Sequence, residues 1–136
     1  MNGHPHGEVK ITVESDIAVA RRAVREVAMQ IGFGPTEIAR IVTAASELSR
    51  NVHKYAGSGV MQWNAIDNGS NGGLELLFED HGPGIADVNE ALREGFTTGG
   101  GLGMGLPGAK RLMDEMEIQS APGQGTKVVV RKWRRQ

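Results

Sequence analysis

The 136-residue chain has no cysteine, which excludes disulfides, thiolate metal sites and cysteine nucleophiles at once. No run of apolar residues approaches the roughly 18 needed to cross a bilayer, so no membrane role is expected. The first residues, MNGHPHGEVK, carry one lysine and no apolar stretch. They are unlike a signal peptide, and the expected location is the cytoplasm. Neither sign of charge dominates: 15 lysines and arginines face 16 aspartates and glutamates, for a net charge of -1. That leaves no basic footprint for nucleic acid. No internal repeat is present, and the length suits one domain over residues 1–136, with residues 1–7 expected as a flexible tail.

Glycine, by contrast, is abundant, at 20 of 136 residues, about twice the usual frequency of roughly 7%. Seven of the glycines (Gly95, Gly99, Gly100, Gly101, Gly103, Gly105 and Gly108) fall within 14 residues between two helical patterns. A loop that cradles a ligand has that composition; a linker would be out of place there.

Alternation over Val9 to Glu14 predicts a half-buried strand. Ser15 is placed to cap a helix that runs to about Ile31, on the stripe Ile17, Ala20, Val24, Val27 and Ile31, and Gly32-Phe33-Gly34 ends it. A second helix starts near Pro35 with the stripe Ile38, Ile41, Val42, Ala45, Leu48, Val52 and Tyr55, and stops at Gly57. Strands over Val60 to Ile66 and Leu74 to Asp80 flank a turn-rich segment and form a hairpin. A short helix near Val88 to Arg93, a third main helix from Met104 to Met113, and strands over Glu117 to Ala121 and Thr126 to Trp133 complete the chain. This order predicts an α/β (α+β) fold, a two-layer sandwich of a mixed sheet with helices on one face.

Several residues could do chemistry. Asp80 shares the face of Leu74, Leu76 and Phe78 by period-two alternation, so its carboxylate points inward, where it must be satisfied by the fold or by a ligand donor. In Asp80-His81-Gly82-Pro83-Gly84, the two glycines would let a flat group approach the backbone. An adenine amine would suit the carboxylate, and an Asx-type turn is the structural alternative. Glu47 and Asn51 lie four apart on one flank of the second helix. They combine a possible proton acceptor with a hard oxygen for Mg²⁺, although such a pair is also common on plain surface helices. The glycine loop leads into a helix whose free N–H groups would receive phosphate. Gly103 to Gly108 spells the dinucleotide fingerprint without the preceding strand or the ribose acid, and Gly108 lacks the Lys and Ser or Thr of a P-loop. The histidines show no metal-ligand spacing.

Taken in order, Glu47-Leu48-Ser49-Arg50-Asn51, Asp80-His81-Gly82-Pro83-Gly84, Gly99 to Gly105 and Gly125-Thr126 resemble the N box, G1 box, G2 box and terminal Gly-Thr of the GHKL ATPase superfamily. The resemblance implies the Bergerat fold and Mg-ATP as cofactor. Asp80 would bind the adenine amine and Thr126 would reach the base through water. Asn51 would ligate Mg²⁺ and Glu47 would be the catalytic base. Gly82, Gly84, Gly99, Gly100, Gly101, Leu102, Gly103, Met104 and Gly105 would line the nucleotide site.

With a short lid, no dimerisation helix and no further domain expected, the chain is most similar to the small anti-sigma and switch-kinase group, and within it to the stressosome switch kinases. That implies a serine/threonine kinase acting on STAS-domain scaffold proteins and, once released, activating a downstream phosphatase or cyclase. Arg21 matches a position where relatives grip their protein substrate. Two alternatives stay open at this point: an anti-sigma factor with kinase activity, and a nucleotide-gated binding module without turnover.

Overall fold

The first strand begins and ends earlier than its alternation suggests, and what ends it is a carboxylate. In the computed structural model, which describes residues 6–84 and 105–135, β1 spans His6–Ile11. Asp16 Oδ2 then accepts from the backbone N–H of Thr12 at 2.9 Å and of Val13 at 3.1 Å. Those two residues are thereby turned off the strand path, and Val13, expected inward, stands 53% exposed. His6 and Gly7, expected in a tail, pair with Asn64 and Trp63. The same carboxylate replaces Ser15 as the tie at the head of α1 (Asp16–Ile31), because Ser15 is already helical and makes no side-chain cap bond.

Helix α1 ends at Gly32, whose left-handed backbone returns its N–H to Ala28 and Met29. Helix α2 (Pro35–Ala56) begins with proline at its first position, where the missing N–H costs nothing. Its stripe from Ile41 to Val52 is buried, but Tyr55, in the last turn, is 44% exposed. Strands β2 (Gly59–Asp67) and β3 (Gly72–Asp80) form the expected hairpin. Its turn is held by Asp67 Oδ1, which accepts from Gly69 N–H, and by Asn68 Oδ1, which accepts from Ser70 and Asn71 N–H. Helix α3 (Gly105–Leu112), β4 (Glu115–Ser120) and β5 (Thr126–Trp133) follow.

The strands stand in the order β1-β2-β3-β5-β4, and every pairing among the described residues is antiparallel. The two-layer α/β arrangement is as expected, but the sheet is antiparallel where a mixed one was predicted. Strand β3 is followed by α3 and then by β4, which lies at the edge, and β5 returns between β4 and β3. A parallel neighbour never arises.

One face of the sheet is apolar. Val9, Ile11, Met61, Leu74, Leu76, Phe78, Val128 and Val130 are buried there with the stripes of α1 and α2. The opposite face carries Arg131, whose guanidinium meets Glu75, Glu115 and Glu117. The expected short helix near Val88 to Arg93 lies outside the described residues. No helix among those described is long and apolar enough to cross a membrane.

Candidate functional site

The inward row of β3 runs Leu74, Leu76, Phe78, Asp80, and its first three members are buried. Asp80 ends the row, partly buried, directly opposite Thr126 on β5 and Gly59 on β2. Where a Cβ on Gly59 would stand, Val52 of α2 lies 2.6 Å away and the Asp80 Cβ 3.1 Å away. The carboxylate therefore sits against the last turns of α2.

Asp80 forms the Asx-type turn, and its geometry leaves room for the ligand reading. Its Oδ1 accepts from Gly82 N–H at 2.9 Å in an Asx-type turn. That bond uses one oxygen and aims the carboxylate, leaving acceptor capacity for a ligand amine.

The glycines of this turn are required by the packing of the fold itself. A Cβ on Gly82 would come within 2.6 Å of the Ala56 Cβ, and one on Gly84, at φ +80°, would collide with the Ala121 carbonyl. Glycine is needed there so that the turn packs against α2 and the β4–β5 connection, to which it is also tied by Gly123 N–H donating to Pro83 O at 2.7 Å.

Thr126 is set by a residue that sequence reasoning missed. Ser120, its cross-strand partner, donates its hydroxyl to Gly125 O at 2.9 Å. In the 2.8 Å contact between the Ser120 and Thr126 hydroxyls, the threonine is then the donor, and Thr126 Oγ1 remains an acceptor toward the site. Gly125 is held at φ +78°, and its missing Cβ points at the Asp80 carbonyl. A side chain there would be strained twice, by conformation and by contact. The signal for Ser120 was the register of the last hairpin, which pairs it with the terminal threonine.

Glu47 and Asn51 share one flank of α2. His53 lies on the opposite flank. Glu47 is 15% exposed and pairs through Oε2 with Arg50 at 2.8 Å, leaving Oε1 outside that ion pair. Asn51 is partly buried. Among the described residues no three acidic, histidine or cysteine side chains converge as a metal cage. An Mg²⁺ ion beside Asn51 would thus be completed by phosphate oxygens and water, which is how this reluctantly dehydrated ion is usually held.

Gly105 is the first residue of α3, at φ +60°. Gly99, Gly100, Gly101, Leu102, Gly103 and Met104 lie outside the described residues. Arg21 is exposed on α1, on a different element from Asp80 and Thr126.

The geometry brings together one inward carboxylate with spare acceptor capacity, a hydroxyl opposite it and a helix carrying Glu47 and Asn51. The chain is also similar to known proteins. The family described as a histidine kinase-like ATPase domain matches residues 9–132. The serine/threonine-protein kinase RsbT of Bacillus subtilis (strain 168) is 47% identical over 93% of this chain and 96% of its own. An anti-sigma F factor of Thermoanaerobacter sp. (strain X514) is 36% identical over 84% of this chain and 82% of its own. The crystal structure of the RsbU and RsbW domains of a Mycobacterium tuberculosis protein superposes on 99% of this chain with a TM-score of 0.64 at 23% identity. This chain spans 34% of that longer one, and the likeness is one of fold. With the family matched over nearly its whole length, this chain belongs to the histidine kinase-like ATPase domain family.

Proposed function

We propose that the chain is a serine/threonine protein kinase that uses Mg-ATP. The observation that carries this reading is the Asp80 carboxylate, aimed inward by its bond from Gly82 N–H and set opposite Thr126, beside the helix that holds Glu47 and Asn51. Its free acceptor capacity suits the adenine amine, and Thr126 Oγ1 suits a water at the base. Asn51 supplies a hard oxygen for Mg²⁺. Glu47 Oε1 would accept the proton of the attacking hydroxyl, in a reaction that otherwise rests on positioning and charge neutralisation. The metal, when bound, would neutralise charge developing on the phosphates.

The resemblance of the boxes to stressosome switch kinases supports a STAS-domain scaffold as substrate, gripped in part by Arg21, and a downstream phosphatase or cyclase as the partner activated after release. The anti-sigma F relatives support a second reading, a kinase that also binds a sigma factor. Both readings are tested by mixing the chain with STAS proteins and γ-labelled ATP, with Mg²⁺ or with EDTA. Label on a serine or threonine of the STAS protein, abolished by EDTA, is the expected result. Parallel pull-downs separate the two, because a co-purifying sigma factor selects the second. No label on any STAS protein would overturn the kinase reading.

A further inference from the structure

Lys132 occupies a place that the alternation of β5 assigns to the core. Val128 and Val130 precede it on the helix-covered face and are buried, and the lysine side chain is itself only 7% exposed. Its ammonium has three hydrogens to place. It donates to Leu112 O, the last carbonyl of α3, at 2.9 Å. It lies 3.1 Å from Glu37 Oε1 in the first turn of α2 and 3.8 Å from Asp114 Oδ1 at the end of α3. Glu37 Oε1 receives no directed hydrogen bond, so that contact holds by charge.

Burying an ion is costly, and an apolar side chain of the same volume would usually serve stability as well or better. What methionine could not supply is a simultaneous hold on the end of α3 and the start of α2. The packing between those helices shows why such a hold matters. The buried residues of α3 are Pro107, Gly108 and Ala109, small groups with little to interlock, while Leu106 and Leu112 reach only the margin of the core. Ridges of that size set the slide and rotation of a short helix weakly. Helix α3 has eight residues, so a shift at Leu112 carries through to Gly105.

We infer that Lys132 is a positioning residue: its tie between Leu112 O and Glu37 sets where the first turn of α3 stands relative to the Glu47 and Asn51 flank of α2. This rests on the nucleotide reading above, in which that first turn faces the phosphates. The role is one of placement. Asp114, the third partner, keeps Arg135 and Trp133 N–H when the lysine is gone.

The test is the double variant Lys132→Met/Glu37→Met, which removes both charges together and leaves neither stranded. Melting temperature, Mg-ATP affinity and hydrogen exchange of the α3 amides are measured beside the parent. The expected result is an unchanged or higher melting temperature, faster α3 exchange and Mg-ATP binding weaker by about tenfold, the scale on which residues remote from a ligand modulate its binding. A folded variant with the parent's affinity and α3 protection would overturn the inference. So would a variant that fails to fold, because the tie would then be a requirement of stability and not of placement. A parent that takes up no Mg-ATP would instead strike down the nucleotide reading, and α3 exchange alone would judge the tie, with unchanged protection overturning it.

Discussion

The helix-covered face of the sheet has a polar residue at each end of its central strands, and the two ends are built in opposite ways. At one end Lys132 is surrounded by acceptors: a helix carbonyl and two carboxylates. One of those carboxylates, Asp114, is further held by Trp133 N–H and Arg135. At the other end Asp80 and Thr126 use part of their capacity on the fold, through Gly82 and Ser120, and keep the rest. A polar cluster turned onto the fold's own groups joins its elements, whereas one with spare capacity, partly open to solvent, is where the proposed nucleotide reading puts a ligand donor.

The comparison can be broken most decisively at Glu47. Glu47→Ala should slow phosphate transfer by on the order of 10² to 10⁴, the usual contribution of a general base, while Mg-ATP and partner binding persist. Single-turnover assays run beside nucleotide titration and pull-downs check it. Equal transfer rates, or loss of nucleotide and partner together, would remove Glu47 from the chemistry.

A smaller effect is expected at Asp80, where the distinction between used and spare capacity is sharpest. In Asp80→Asn the amide oxygen can still accept from Gly82 N–H, so the melting temperature should stay near the parent's. The amide nitrogen would face the adenine amine, and an unpaired donor there costs about 1–3 kcal/mol, or roughly 5- to 150-fold in ATP affinity. Calorimetric titration reads it directly, and an unchanged affinity would make Asp80 purely structural.

At the Lys132 end, Asp114 should answer in stability, and more modestly. Burial opposes ionisation of Asp114, but the bonds from Trp133 N–H and Arg135, with the charge of Lys132, outweigh it and hold the carboxyl below its ordinary 3.8. A carboxyl depressed in the folded state contributes stability that is complete above its unfolded pKa and is lost as pH falls through the folded value. The parent should therefore weaken from about pH 4 downward. Asp114→Asn should lower unfolding free energy at pH 7 by about 1.5 kcal/mol and flatten the acid limb. Denaturant unfolding across that range measures both, and a variant as stable and as acid-sensitive as the parent would refute the assignment.

The helices, the central hairpin and the inward direction of Asp80 were legible because each rests on local periodicity. The Ile41 to Val52 stripe and the Leu74, Leu76, Phe78, Asp80 row are repeated patterns that short segments carry by themselves. The end of β1 was misread because Asp16, four residues beyond Thr12, takes that residue's N–H and pulls Val13 out of the pattern, and its start because His6 and Gly7 pair with Asn64 and Trp63 of β2. Tyr55 fitted the helical stripe but is exposed in the last turn of α2. The reason for Gly82 and Gly84 also escaped, since Ala56 and Ala121 are distant in sequence and only the fold brings them to the turn.

By itself, the order of residues nominated the groups of the proposed site: Glu47 and Asn51 by helical spacing, Asp80 by strand alternation, and Thr126 through the resemblance of Gly125-Thr126 to a family motif. Tertiary structure decided how each is used. The antiparallel order of the sheet, the donation of Ser120 to Gly125 that leaves Thr126 an acceptor, and the burial of Lys132 among Leu112, Glu37 and Asp114 all depend on contacts between segments far apart in the chain. Local pattern fixes the direction of a side chain. Whether its hydrogen-bonding capacity is spent or spare depends on neighbours that only the folded chain supplies.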